Sequence, residues 1–125
     1  MTWERVYTFN DWYDGPRLGV ADVDGVPHIY KSLWMETDTE DVFVVAPISE
    51  ELLKLVLEDW RLWTRFHSPH ERLSPEDRKR LEQLAPIVER GLRMEDTPAR
   101  RLKASFRGFS VSGDSIEVEW REESE

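Results

Sequence analysis

The hydrophobic periodicity of this chain changes twice, and that change bounds the fold more tightly than any single motif. Residues 17–24 and 26–35 read as short strands on either side of a turn, 42–46 is a β-branched and aromatic run, and apolar residues alternate with polar ones through 101–109 and 116–120. Between 49 and about 93 they recur at helical spacing instead. A spacing of two puts alternate side chains on one face of a strand. A spacing near 3.6 gathers them into a stripe along a helix. Short strands next to one another in sequence, flanking a helical middle, give an α+β chain.

The expected order is β-β-β-α-α-β-β, with a further strand at residues 3–9. The expected architecture is a strongly curved antiparallel sheet, or a small SH3-like barrel, with the helical pair inserted between the third and fourth strands. The plainer alternative is an open sheet with both helices on one face. No repeat, low-complexity tract or linker divides the 125 residues, so a single domain is expected over 1–125, with the helical insertion at about 49–93.

Local chemistry supports these boundaries. Asp24-Gly25 predicts a tight hairpin, because both central residues of a type I′ turn need positive φ. Pro27 has no N–H for a ladder and belongs at a strand start or an edge. Ser49 is a good N-cap, Glu50 and Glu51 suit the positive end of the helix dipole, and Ile48 and Leu53 stand at the positions of a hydrophobic staple. Leu52, Leu53, Val56, Trp60 and Trp63 centre one face of this first helix, which should run to about 66. Ser74-Pro75 opens a second helix, and Pro86 should kink it or start a short new one. Ser112-Gly113-Asp114 reads as the last turn.

Six tryptophans are many for a domain this small. A small domain has little interior for its surface, so most of these rings are expected in the core, with one or two on the surface as recognition anchors. The absence of cysteine excludes a disulfide scaffold and thiolate metal sites. No apolar run approaches 18 residues, and the N-terminus has no signal-peptide stretch, so a cytoplasmic protein is expected, with no membrane partner.

The net charge of −9 is uneven: −9 over residues 1–60, +5 over 61–110 and −5 over 111–125. The simplest account pairs a basic helical middle with acidic flanks. A net acidic chain is repelled by nucleic acid at long range, so the expected partner is a protein, possibly a basic one.

The most distinctive segment is Asp11-Trp12-Tyr13-Asp14-Gly15-Pro16-Arg17-Leu18-Gly19. It combines two carboxylates, two rings and an arginine with residues that bend the chain. Such a loop forms a rigid recognition surface, since Trp and Tyr contribute area at small entropic cost. The plain reading is a structural corner in which Arg17 pairs with Asp11 or Asp14. The motif Asp11-x-Tyr13-Asp14-Gly15-Pro16-Arg17-x-Gly19-Val20-Ala21-Asp22, followed by Gly25-x-Pro27-His28-x-Tyr30 and by Glu58-Asp59-Trp60-x-x-Trp63, resembles a group of small uncharacterised bacterial proteins. The resemblance covers roughly the first half of the chain. It implies a bacterial cytosolic origin and brings no catalytic residues.

Other candidates are weaker. Asp59 falls within the apolar arc of its helix, where an unpaired charge is costly, so an ion pair to Arg17 or Arg101, or a ring N–H bond, is expected. The alternative is a site carboxylate with a raised pKa. His67-x-x-His70-Glu71 lacks the helical spacing of a zinc site, because Pro69 interrupts it. Asp22-Val23-Asp24-Gly25 faintly resembles a calcium loop but has Leu33 where the twelfth-position Glu belongs. His28 and Tyr30 share one side of a strand, where a carboxylate such as Asp14 or Asp22 would make an acid–base pair. No metal site or cofactor is expected.

Two functions remain. The first is a small acidic, non-enzymatic protein-binding module of inhibitor, immunity or adaptor type, recognising its partner through Asp11, Trp12, Tyr13, Asp14 and Arg17. The second is a small hydrolase using Asp14, His28 and Asp59 in acid–base chemistry.

Overall fold

The structure, a computed structural model, describes residues 2–34, 36–37, 41–66, 72–94, 97–108 and 116–123. The chain forms two compact units: residues 1–48 with 96–125, and residues 49–95.

The first unit is a seven-stranded sheet of β1 (Trp3–Arg5), β2 (Asp11–Trp12), β3 (Pro16–Val23), β4 (Val26–Ser32), β5 (Val42–Pro47), β6 (Arg100–Arg107) and β7 (Glu117–Glu122). The spatial order is β1-β7-β6-β5-β4-β3-β2, and every neighbouring pair is antiparallel. The sheet curls into a half-barrel. Its ends are tied by one segment. The chain leaves β1, which pairs with β7, and then bridges β3 through Val6 and Ala21. The Tyr7 and Thr8 amides donate to the Val20 carbonyl at 2.8 and 3.1 Å.

The α+β class is as the periodicity predicts, but the strand count is not. The further strand expected at 3–9 is present as the shorter β1, and the unexpected β2 follows it, so the helices are inserted between the fifth and sixth strands. Two residues are too few for an alternating pattern to register in β2.

The β3–β4 hairpin turns at Asp24 and Gly25, whose φ values are 55° and 78°. Glu4 caps this turn, accepting from the Gly25 amide at 2.7 Å and the Asp24 amide at 3.1 Å. The concave face is lined by Ala21, Val23, Tyr30, Phe43 and Val45 from β3 to β5, and by Leu102, Ala104 and Val118 from β6 and β7. The Tyr30 ring centroid lies 5.9 Å from both Phe43 and Phe106.

The tryptophans depart from expectation. Trp12 and Trp63 are exposed, and the other four are only half-buried. An indole is large and carries an N–H that needs a partner, so margins suit it better than a small curved interior. Trp120 shows this: it packs at the core's edge and donates to the Asp22 carbonyl at 2.8 Å.

The second unit is a pair of helices, α1 (Glu50–Phe66) and α2 (Pro75–Gly91). Ser49 and Ser74 cap them, accepting from the amides of Leu52 (3.2 Å) and Asp77 (3.1 Å). Pro86 does not start a new helix; α2 runs through it to Gly91. Pro86 is exposed, so the carbonyl that loses its helical partner there can be hydrated. Arg80 of α2 forks onto the Glu58 carboxylate of α1 at 2.8 and 2.9 Å.

The picture of a basic helical middle answering acidic flanks also changes. Residues 49–95 carry nine basic and ten acidic groups, net −1. The excess of arginine and lysine in 61–110 comes from β6, where Arg101 and Arg107 pair with Glu123 (2.6 Å) and Glu117 (3.1 Å) of the sheet itself.

Candidate functional site

The segment 11–17 folds into a tight corner between β2 and β3. Asp14 and Gly15 take φ values of 54° and 118°, and the Tyr13 amide donates to the Gly15 carbonyl at 3.0 Å. The register of β2 on β3 shifts between Asp11 and Trp12, as at a β-bulge, which re-aims the rings that follow. Trp12 is 48% exposed and Tyr13 70%.

Arg17 holds this corner from below. Its Nε donates to the Tyr13 carbonyl at 2.6 Å and its Nη2 to the Asp14 carbonyl at 3.0 Å. The expected pairing with the Asp11 or Asp14 carboxylate is therefore replaced by bonds to backbone. A planar fork suits two adjacent carbonyls, and the turn presents them together. The guanidinium also lies 4.4 Å above the Trp34 ring, and Trp34 stands 5.4 Å from Tyr13 between centroids. Trp12 packs edge-on against Phe9 at 5.3 Å.

These groups enclose an open cleft of about 460 Å³. Tyr13, Leu18, Ser32 and Trp34 line it together with the charged Asp11, Arg17 and Lys31. That volume is within the range of ligand clefts, and few polar groups converge on a mostly apolar lining. Asp11, Tyr13, Arg17 and Leu18 belong to the segment that stands out in the sequence, whereas Lys31 and Trp34 do not. The hairpin register held part of the signal: counting outward from Asp24-Gly25 pairs Leu18 with Lys31.

Of the hydrolase set, Asp14 and His28 lie toward opposite ends of the β3–β4 hairpin. His28 pairs with Ala21 near the Asp24 turn, and its Nδ1 lies 2.7 Å from the Val26 carbonyl. Asp14 lies beyond the other end of β3, before Pro16. Five strand residues separate those ends, roughly 16 Å at about 3.3 Å each. Tyr30 is committed to the core, its hydroxyl donating to the Thr8 carbonyl at 2.8 Å. Burial pushes that phenol well above its ordinary value.

Asp59 belongs to the helical unit and is 7% exposed. Arg101 and Arg17 belong to the sheet unit, where Arg101 is bonded to Glu123 and Arg17 to its own corner. Asp59 carries no ion pair or side-chain hydrogen bond among the described residues, and burial raises its carboxyl above the usual range. Asp22 sits beside the Tyr7 hydroxyl, while Asp24 pairs with Arg100 at 3.5 Å. Among the described residues no three His, Asp or Glu side chains group as metal ligands. His67, His70, Glu71 and the 112–114 turn lie outside the described residues.

No protein-family model, curated protein or solved structure matches this chain.

Proposed function

We propose that this chain is a non-enzymatic protein-binding module of the bacterial cytoplasm, of the inhibitor, immunity or adaptor kind, with the 11–17 corner as its recognition surface. One observation carries the reading: two large rings stand exposed on a corner that Arg17 fixes through the Tyr13 and Asp14 carbonyls. Exposing large rings to water without a use is unfavourable, and holding them rigid lowers the entropy lost when a partner covers them. Aromatic residues and arginine are also the side chains most enriched among interface hot spots.

The residues of the first unit carry eight basic and sixteen acidic groups, net −8. This favours a partner with a basic face, whose approach the charge would speed at low salt. A hydrolase built on Asp14, His28 and Asp59 finds no support in the separation of Asp14 from His28 along the hairpin.

The test is capture of partners by the wild-type chain and by Trp12→Ala/Tyr13→Ala, with circular dichroism showing that both are folded. Loss of a partner in the variant supports the reading. Identical partner sets would remove this corner as the interface.

A further inference from the structure

Asp11, Leu18 and Lys31 form a row across three adjacent strands. Asp11 is the register partner of Leu18 in β3, and Leu18 is the partner of Lys31 in β4. Directly paired residues of an antiparallel sheet project from the same face. The row therefore presents an acid, an apolar side chain and an amine side by side, along the cleft that Tyr13 and Trp34 also line.

At about 4.8 Å per strand, the Asp11 and Lys31 backbones stand roughly 10 Å apart. Leu18 lies between them. Both charged side chains are exposed, and neither makes an ion pair or a side-chain hydrogen bond among the described residues. Arg17, by contrast, is already engaged by backbone oxygens and the Trp34 ring.

We propose that this cleft receives a peptide segment of the partner protein in which apolar side chains lie between a basic and an acidic residue. The basic residue meets Asp11, the acidic one meets Lys31, and the apolar part packs on Leu18 and against the Tyr13–Trp34 ring pair. The proposal rests on the protein-binding reading above and names the chemistry of what is bound.

Spacing and openness fix the kind of ligand. A chain in the polyproline II conformation advances about 3.1 Å per residue with three residues per turn, so charges three residues apart share a face and span about 9 Å, close to the width of the row. Tyr13 is mostly exposed, so the cleft is open above and covers one side of its occupant, which suits a passing chain. The occupant does not join the sheet as a strand here. The Val20 carbonyl already accepts from Tyr7 and Thr8, and the Val20 amide donates to the Thr8 hydroxyl at 2.9 Å, so that stretch of the β3 edge is filled. Recognition is by side chains.

The test uses amide-resolved NMR titration of the full chain with acetyl-Gly-Lys-Leu-Leu-Glu-Gly-amide to millimolar concentration. Two control peptides replace both charges by Gln, or both leucines by Gly. Shifts centred on Asp11, Tyr13, Leu18, Lys31 and Trp34 are expected. Each control should bind about three- to fivefold more weakly, the scale of exposed ion pairs and one small apolar contact. Asp11→Lys, checked for an unchanged fold, should weaken the Lys/Glu peptide and favour acetyl-Gly-Glu-Leu-Leu-Glu-Gly-amide. No shifts at the cleft, equal binding of the controls, or indifference to Asp11→Lys overturns the proposal. If Trp12→Ala/Tyr13→Ala still loses a partner in that case, the interface reading stands and only the peptide chemistry falls. If the peptide binds as expected while partner capture is unchanged, the cleft chemistry stands and the 11–17 corner falls as the partner's interface.

Discussion

The Tyr30 hydroxyl donates to the Thr8 carbonyl at 2.8 Å, joining β4 to the segment that ties β1 to β3. Tyr30 has no solvent exposure, and neither has Thr8. Tyr30→Phe keeps the ring and removes the donor, leaving a buried carbonyl short of a partner. A loss of about 1–2 kcal/mol is expected in denaturant unfolding. The pH dependence should change as well. The folded pKa lies above the unfolded value near 10, so stability is intact below about pH 10 and falls as the unfolded chain alone ionises. Tyr30→Phe should remove that alkaline decline. An equal decline in the variant would place its cause elsewhere.

Gly19 faces the same pair. A β-carbon there would collide with the Thr8 carbonyl oxygen and sit 2.8 Å from the Tyr30 hydroxyl. Backbone oxygen cannot swing aside as a flexible side chain can. Gly19→Ala should therefore cost about 2 kcal/mol or more, the upper range of overpacking. The Thr8 segment leads directly to Asp11, so the variant should also disturb Trp12 and Tyr13. A melting temperature within a degree or two of wild type would show that the strands part without strain.

Much of this arrangement was legible in the sequence, and the misses have physical causes. The Asp24-Gly25 turn, the Ser49 and Ser74 caps and the β6–β7 alternation follow from local chemistry, which neighbouring residues determine. The strand pairs β1 with β7 and β2 with β3 do not, because they are made by short segments whose partners alone define them. Trp12, Tyr13 and Arg17 stood out by composition. Trp34 did not, since its role arises only when the hairpin brings it beside Tyr13 and Arg17. The placement of the tryptophans failed because hydrophobicity was weighed without size and without the indole N–H.

Arg17 should behave as a positioning residue. Arg17→Ala removes two bonds to the corner's carbonyls and the cation over Trp34. The guanidinium is partly solvated, so a stability loss under about 1 kcal/mol is expected. The local effect should be larger: amide exchange at Tyr13 and Gly15 should accelerate, and partner binding should weaken. Arg17→Lys should not rescue either property, because an ammonium cannot fork onto two carbonyls. Unchanged exchange at the corner in Arg17→Ala would show that the turn holds itself.

Glu58 and Asp59 are chain neighbours whose protonation should act on stability in opposite senses. Arg80 holds the Glu58 carboxyl below its usual value of 4.5, while burial raises that of Asp59 above 3.8. For Asp59 the folded state binds more protons, so its contribution is best below the unfolded pKa and worsens as pH rises through the folded one. For Glu58 the unfolded state binds more, so its contribution is present above the unfolded pKa and lost as pH falls through the folded one. Asp59→Asn should then raise stability near pH 7 relative to wild type, with a smaller gain near pH 4. Glu58→Gln should lower stability near pH 7 and remove part of the acid-side loss. Denaturant midpoints from about pH 3 to 8 measure both. If Asp59→Asn tracked wild type at every pH, or were less stable near neutrality, Asp59 would be making an interaction that outweighs the cost of its burial.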